Sequence, residues 1–192
     1  GSQGPNPSPG PAADNRSKNT HHYDGTNWTS GGAFNDFHSD TDASAGTQTA
    51  GIVFGGYNGN PISSTTTSLE EYNGSSWTSA VSGLQAISIG GGFGTQSLFL
   101  AAGGQNASIP SSPGTTGYSL NSFLYNGTTI ATDANIATRR VIVGCDGVVG
   151  TAAGMICGGS TSYSTRTTAT EEYTQGSTAI NVSIKKYDNS AT

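Results

Sequence analysis

Three histidines, His21, His22 and His38, are the residues of this 192-residue chain best suited to acid–base or metal chemistry. His21 and His22 stand directly before Tyr23, and His38 falls among Asp36, Asp40 and Asp42. Imidazole and carboxylate together suit zinc or copper. Neighbouring residues of an extended chain point to opposite faces, however, so His21 and His22 cannot readily share one ion. Exposed, solvated histidines are therefore expected, and no metal site. Two acidic pairs, Glu70-Glu71 and Glu171-Glu172, are the other groups placed for proton transfer. They recur at one position of an internal repeat, which marks them as structural, with one member of each pair expected to face solvent. Gly90-Gly91-Gly92 is glycine-rich, but no helix follows it, which excludes a phosphate cradle. With no nucleophile motif either, no catalytic residue and no cofactor are expected.

Two cysteines, Cys145 and Cys157, cannot form a disulfide scaffold. If a hairpin turned about residue 151, the two would be directly opposed, and a cross-strand disulfide would be within reach. A slip of one residue would send one of them to the other face. The spacing leaves both open and favours two free buried thiols.

The elements that must carry these residues are unusual in composition. Gly (29), Ser (26) and Thr (26) fill 81 positions, while charged residues make up 10% of the chain against roughly 25% in ordinary domains. Seven Lys and Arg provide no basic stripe for nucleic acid. No apolar run is long enough to enter a membrane. Few helix formers and many β-branched residues argue for an all-β protein.

Three marks recur at a period of about fifty residues. The first is Tyr23-Asp-Gly-Thr-Asn-Trp28, Tyr72-Asn-Gly-Ser-Ser-Trp77 and Tyr125-Asn-Gly-Thr-Thr-Ile130, with a weaker copy at Tyr173. The second is an apolar run ending in Gly55-Gly56, Gly103-Gly104 and Gly158-Gly159. The third is Gly-Thr eight or so residues earlier, in Gly46-Thr47-Gln48, Gly94-Thr95-Gln96 and Gly150-Thr151. Each unit reads as four antiparallel strands. In the middle unit these are Ala86 to Gly92, a turn at 94–96, Ser97 to Gly103, Leu120 to Tyr125, a two-residue turn at Asn126-Gly127, and a short strand past Ile130. Such a sheet cannot bury its faces alone and must stack on its neighbours.

An apolar strand ending in Gly-Gly, then Tyr, then Trp about five residues later, is similar to the kelch repeat of β-propellers. The wording Glu70-Glu71-Tyr72-Asn73-Gly74-Ser75-Ser76-Trp77 resembles kelch-type arrays of marine bacteriophage structural proteins, over about residues 17 to 180. The resemblance implies an all-β kelch-like propeller of four-stranded blades, acting as a fibre or surface decoration at the virion surface. Its partners would be other virion proteins or further copies of itself, with host surface glycans as a possible target. Some kelch propellers are copper oxidases of the galactose oxidase type, using two Tyr, two His and a Tyr–Cys thioether. No His lies near either Cys here, so that chemistry has no constellation.

Residues 1–16 are expected to form a Pro/Gly linker or stalk end, and 17–192 the propeller domain. Full blades are expected at 37–78, 86–131 and 139–181. Residues 17–28 and 182–192 would combine into a composite fourth blade and close a ring. Trp28, Trp77 and the repeat tyrosines are expected to pack between blades. Recognition would use the variable loops after each Gly-Gly, through Tyr57, Asn58, Asn60, Gln105, Asn106, Tyr118 and Tyr163, whose amides and rings suit sugar hydroxyls. A secreted lectin-like propeller is the alternative reading.

Overall fold

Low charge, frequent glycine and alternating apolar residues give short strands and tight turns throughout. A computed structural model describes residues 17–40, 43–57, 65–83, 85–88, 90–106, 117–147, 153–162, 164–175 and 182–186, and among these there is no helix. Strands β1 (His21–Tyr23) and β2 (Trp28–Ser30) form a two-stranded sheet. Three four-stranded antiparallel sheets follow. The first contains β3 (Ser44–Thr47), β4 (Ala50–Phe54), β5 (Leu69–Tyr72) and β6 (Trp77–Ser79). The second contains β7 (Gly91–Thr95), β8 (Leu98–Ala102), β9 (Ser122–Tyr125) and β10 (Ile130–Asp133). The third contains β11 (Gly144–Gly147), β12 (Ala153–Cys157), β13 (Thr170–Gln175) and β14 (Val182–Lys186). Within each sheet every strand pairs with its chain neighbour. Successive sheets approach most closely at their first strands, β3 beside β7 and β7 beside β11.

The second sheet is sandwiched, and its alternation explains both cores. Phe99, Ala101, Phe123 and Tyr125 meet Ile52, Phe54 and Leu69 of the first sheet. On its other face Phe93, Leu100 and Ala102 meet Ile156 and Tyr173 of the third. Each Ile, Leu or Phe side chain among them, fully buried, contributes roughly 1.5–3 kcal/mol.

The Gly-Gly marks end the second strand of each sheet with two consecutive left-handed residues, as at Gly55 (φ 76°) and Gly56 (φ 96°). A Cβ on Gly55 would collide with the backbone carbonyl of Ile87 in the next sheet, so glycine is required for shape and for close approach alike. The second glycine ties sheets together. Gly56 N donates to Ile87 O at 2.7 Å, and Gly104 N to Arg140 O at 3.0 Å. Beyond the Gly-Gly the ladder continues as single bridges, Ser39 with Tyr57, Ser88 with Gln105 and Val141 with Ser160. The residue after each first-strand bridge turns left-handed where it is described, at Asp40 (φ 51°) and Ile142 (φ 54°).

Several expectations change. The first strand of the middle unit is Gly91–Thr95 rather than Ala86 to Gly92: the ladder begins where Gly91 and Gly92 pair with Ala102 and Ala101, and of the described residues from 86 to 90 Ser88 makes a single bridge. The hairpin turn then lies at Gln96-Ser97, one step beyond 94–96. Asn126-Gly127 does not make a two-residue hairpin. Tyr125 pairs with Ile130 across four residues, and Asn126 Oδ1 accepts from the amides of Thr128 and Thr129. Asp24 and Asn73 hold the same turn in their units. In Asp24 the amides of Asn27 and Thr26 hold the carboxyl below its usual range.

The composite fourth blade is overturned. Val182–Lys186 is the fourth strand of the third sheet, with Tyr173 opposite Ile184, so it leaves β1 and β2 as a two-stranded sheet. The third unit therefore runs past 181. The segment 1–16 lies outside the described residues.

Candidate functional site

The chemistry-bearing side chains sit at the root of each sheet, where the first and third strands flank the Gly-Gly. His38 is buried, contrary to the exposed state expected for it. Its Nδ1 lies 2.7 Å from Gly55 O and its Nε2 lies 3.1 Å from Glu70 Oε1. Both ring nitrogens thus face oxygen atoms, one of a backbone carbonyl and one of a carboxylate. The Glu70 carboxylate also accepts from the amides of Asn35 (2.8 Å) and Asp36 (2.6 Å). Burial pushes the Glu70 carboxyl up, but His38 and these two amides outweigh it and hold the pKa below the usual value.

The third sheet repeats the arrangement with a different nitrogen-bearing side chain. Arg140, fully buried, pairs with Glu171 and donates to Gly158 O (3.3 Å) and Ala169 O (3.0 Å). Glu171 in turn accepts from Ala137 N at 2.6 Å. In the second sheet the same two positions are Ile87 and Phe123, both buried and apolar. The paired glutamates divide: Glu70 and Glu171 are buried, Glu172 is exposed as expected, and Glu71, expected to face solvent, is instead half-buried beneath the Tyr125 hydroxyl.

The repeat tyrosines reach back to the preceding sheet. Tyr72 shares a 2.7 Å hydrogen bond with His22 Nε2, Tyr125 donates to Glu71 at 3.0 Å, and Tyr173 donates to Asp133 at 3.2 Å. Burial first, then the Glu71 carboxylate, pushes the Tyr125 hydroxyl up to about 12; burial and Asp133 raise Tyr173 likewise. Trp77 stacks on Tyr72 (4.8 Å) and Phe34 (4.3 Å), with its indole N–H on Thr20. These residues pack between sheets as the repeat predicts. Tyr23 and Trp28 do not: they are 47% and 68% exposed, and the Tyr23 hydroxyl donates to Gly25 O in its own turn.

Two hooks were not anticipated. Gln48 donates to Tyr23 O (3.0 Å), and Gln96 donates to Tyr72 O (2.6 Å) and Gly51 O (3.1 Å). The signal was present as the Gln shared by Gly46-Thr47-Gln48 and Gly94-Thr95-Gln96; the third unit has Ala152 there.

The loop-face candidates separate. Tyr57 and Gln105 hold equivalent bridge positions and are half-buried. Asn106 and Tyr118 are buried, with the Asn106 amide on Ala86 O, so they build the loop base rather than present a surface. Asn58, Asn60 and Tyr163 lie outside the described residues, as does Asp42. Cys145 pairs with Ile156, and Gly144 with Cys157. This one-residue offset from direct opposition places the thiols on opposite faces, so no disulfide joins them, and both residues are half-buried rather than buried. Among the described residues no three His, Cys, Asp or Glu side chains group to hold a metal ion.

No family model matches the chain, and no curated protein does. Among solved structures it is similar to the one titled "Structure of YjhT", at 13% identity and a TM-score of 0.65 over 82% of this chain. The chain spans about half the length of that protein, 48% of it being covered. At this identity the likeness concerns the fold alone.

Proposed function

We propose that the chain is an arc of a kelch-like β-propeller that serves as a non-enzymatic structural or adhesive module of a phage particle, a fibre or surface decoration. One observation supports this reading above others. Most of the buried polar side chains are engaged in structural contacts: His22 with Tyr72 and Tyr125 with Glu71 between sheets, His38 with Glu70 and Arg140 with Glu171 within one sheet. Such a module acts by shape and by copy number, since many weak contacts give large avidity without a strong single site. The bacteriophage assignment rests on the resemblance of the repeat wording, and the stacked four-stranded sheets are consistent with it.

Antibodies raised against the 192-residue chain are expected to label the surface of intact particles that carry it, by electron microscopy. A chain absent from purified particles, yet bound by defined oligosaccharides on a glycan array, would overturn this reading in favour of a secreted lectin.

A further inference from the structure

Among the described residues both ends of the sheet array are bare, and each bare end has a covered twin elsewhere in the molecule. Tyr23 and Trp28 stack at 5.0 Å and 33°, as Tyr72 and Trp77 do at 4.8 Å and 34°. Tyr72 and Trp77 are capped by His22, Phe34 and Thr20 from the preceding segment. Tyr23 and Trp28 are 47% and 68% exposed, and the Tyr23 hydroxyl turns back to Gly25 O at 2.8 Å.

At the other end, the outward face of β12 carries Met155, 42% exposed. The corresponding residues of the first and second sheets, Ile52 and Leu100, are buried under the sheet that follows. Glu172, exposed here, stands where Glu71 receives the hydroxyl of Tyr125 from the next sheet. Asp146, Met155 and Glu172 border an open hollow of about 280 Å³.

We propose that these faces are two halves of one interface, and that two copies of the chain pack head to tail into a closed ring. The Tyr23–Trp28 face of each copy covers the Met155–Glu172 face of the other. Tyr23 hydroxyl bonds to Glu172 of the second copy, as Tyr125 does to Glu71 within the chain. The inference rests on the stacked-sheet reading and not on the phage role. Its occupant follows from continuity: the interface already formed between the sheets of one chain is the one left incomplete at each end. A head-to-tail contact closes when its rotation returns to the start, and otherwise yields open filaments.

Sedimentation equilibrium of the 192-residue chain tests this. The expected mass is twice 19.3 kDa. Trp28→Ala and Met155→Glu are each expected to weaken self-association by about 30-fold or more, the scale of an interface hot spot, with unchanged far-ultraviolet circular dichroism. Tyr23→Phe, a milder change that keeps the ring, is expected to weaken it severalfold, and not at all when Glu172 is already Ala, which has no acceptor for the hydroxyl. Equal mixtures of the Trp28→Ala and Met155→Glu variants are expected to recover dimer, because one intact interface reforms. A monomer at tens of micromolar, an open-ended series of masses, or a dimer indifferent to Met155 would each overturn the proposal.

Discussion

The root of the outer sheets and the root of the middle sheet solve one packing problem with opposite chemistry. In the first and third sheets a buried nitrogen-bearing side chain meets a buried glutamate, His38 with Glu70 and Arg140 with Glu171. In the second sheet Ile87 meets Phe123. The backbone at the three sites is the same, down to the Gly-Gly carbonyl and the bridge that follows. The comparison teaches that the position requires filled volume, while charge is an added commitment. A buried ion pair need not outperform apolar packing, because desolvation offsets much of its attraction. Here the cost is met by further partners: two amides on Glu70, one on Glu171, and three backbone carbonyls on Arg140, at Thr138, Gly158 and Ala169.

The largest expected effect comes from breaking one half of an ionic root. Glu171→Ala leaves the Arg140 guanidinium buried without its carboxylate and is expected to lower stability by about 3–5 kcal/mol. Urea denaturation with an unchanged m-value would measure it, and a loss below 1 kcal/mol would refute the pairing. Ile87→Ala removes volume only, so about 2–4 kcal/mol is expected, equal at pH 4 and pH 7.

Glu70→Gln distinguishes the two kinds of root by pH. The Glu70 carboxyl titrates below its ordinary value, so its stabilisation is complete above about pH 4.3, the unfolded value, and fades as pH falls through the lower folded one. The gap between the wild-type chain and Glu70→Gln should therefore be widest near neutrality and narrow in acid. A gap independent of pH would show that Glu70 contributes no charge to stability.

The smallest effect belongs to the tyrosine hooks. Tyr125→Phe loses one hydrogen bond, about 0.5–1.5 kcal/mol. Because the hydroxyl is raised to about 12, the wild-type chain should lose stability between pH 10 and pH 12, and the phenylalanine variant should lose less. Alkaline titration followed by thermal unfolding would show the difference.

Much of this architecture was legible because the repeat writes backbone geometry into residue type. Consecutive left-handed residues demand Gly-Gly, and the four-residue turn demands Asp or Asn followed by Gly, so both stand out at a fifty-residue spacing. The tyrosine and tryptophan positions were readable for the same reason, being the bulk between sheets. What escaped notice was coupling over long separations. Nothing local in His38 announces Glu70 thirty-two residues later, and its acidic neighbours suggested solvent instead. Arg140 attracted no attention because a guanidinium is expected outside. The fourth strand of the third sheet lacks the Trp that marks Trp28 and Trp77. Val182-Ser183-Ile184 alternates as a strand does, but its position near the chain end suggested a new sheet.

The ionic–apolar–ionic order of the roots also bears on how a repetitive chain avoids pairing with the wrong part of itself. Units of similar length and wording invite strand exchange between neighbours during folding. A hairpin of the middle unit that captured the third strand of the last unit would set Ile87 against Glu171 and enclose a carboxylate with no cation. The reverse error would seal Arg140 against Phe123. Adjacent repeats are thus chemically mismatched at their most enclosed point, so either exchange would bury a polar side chain without its partner.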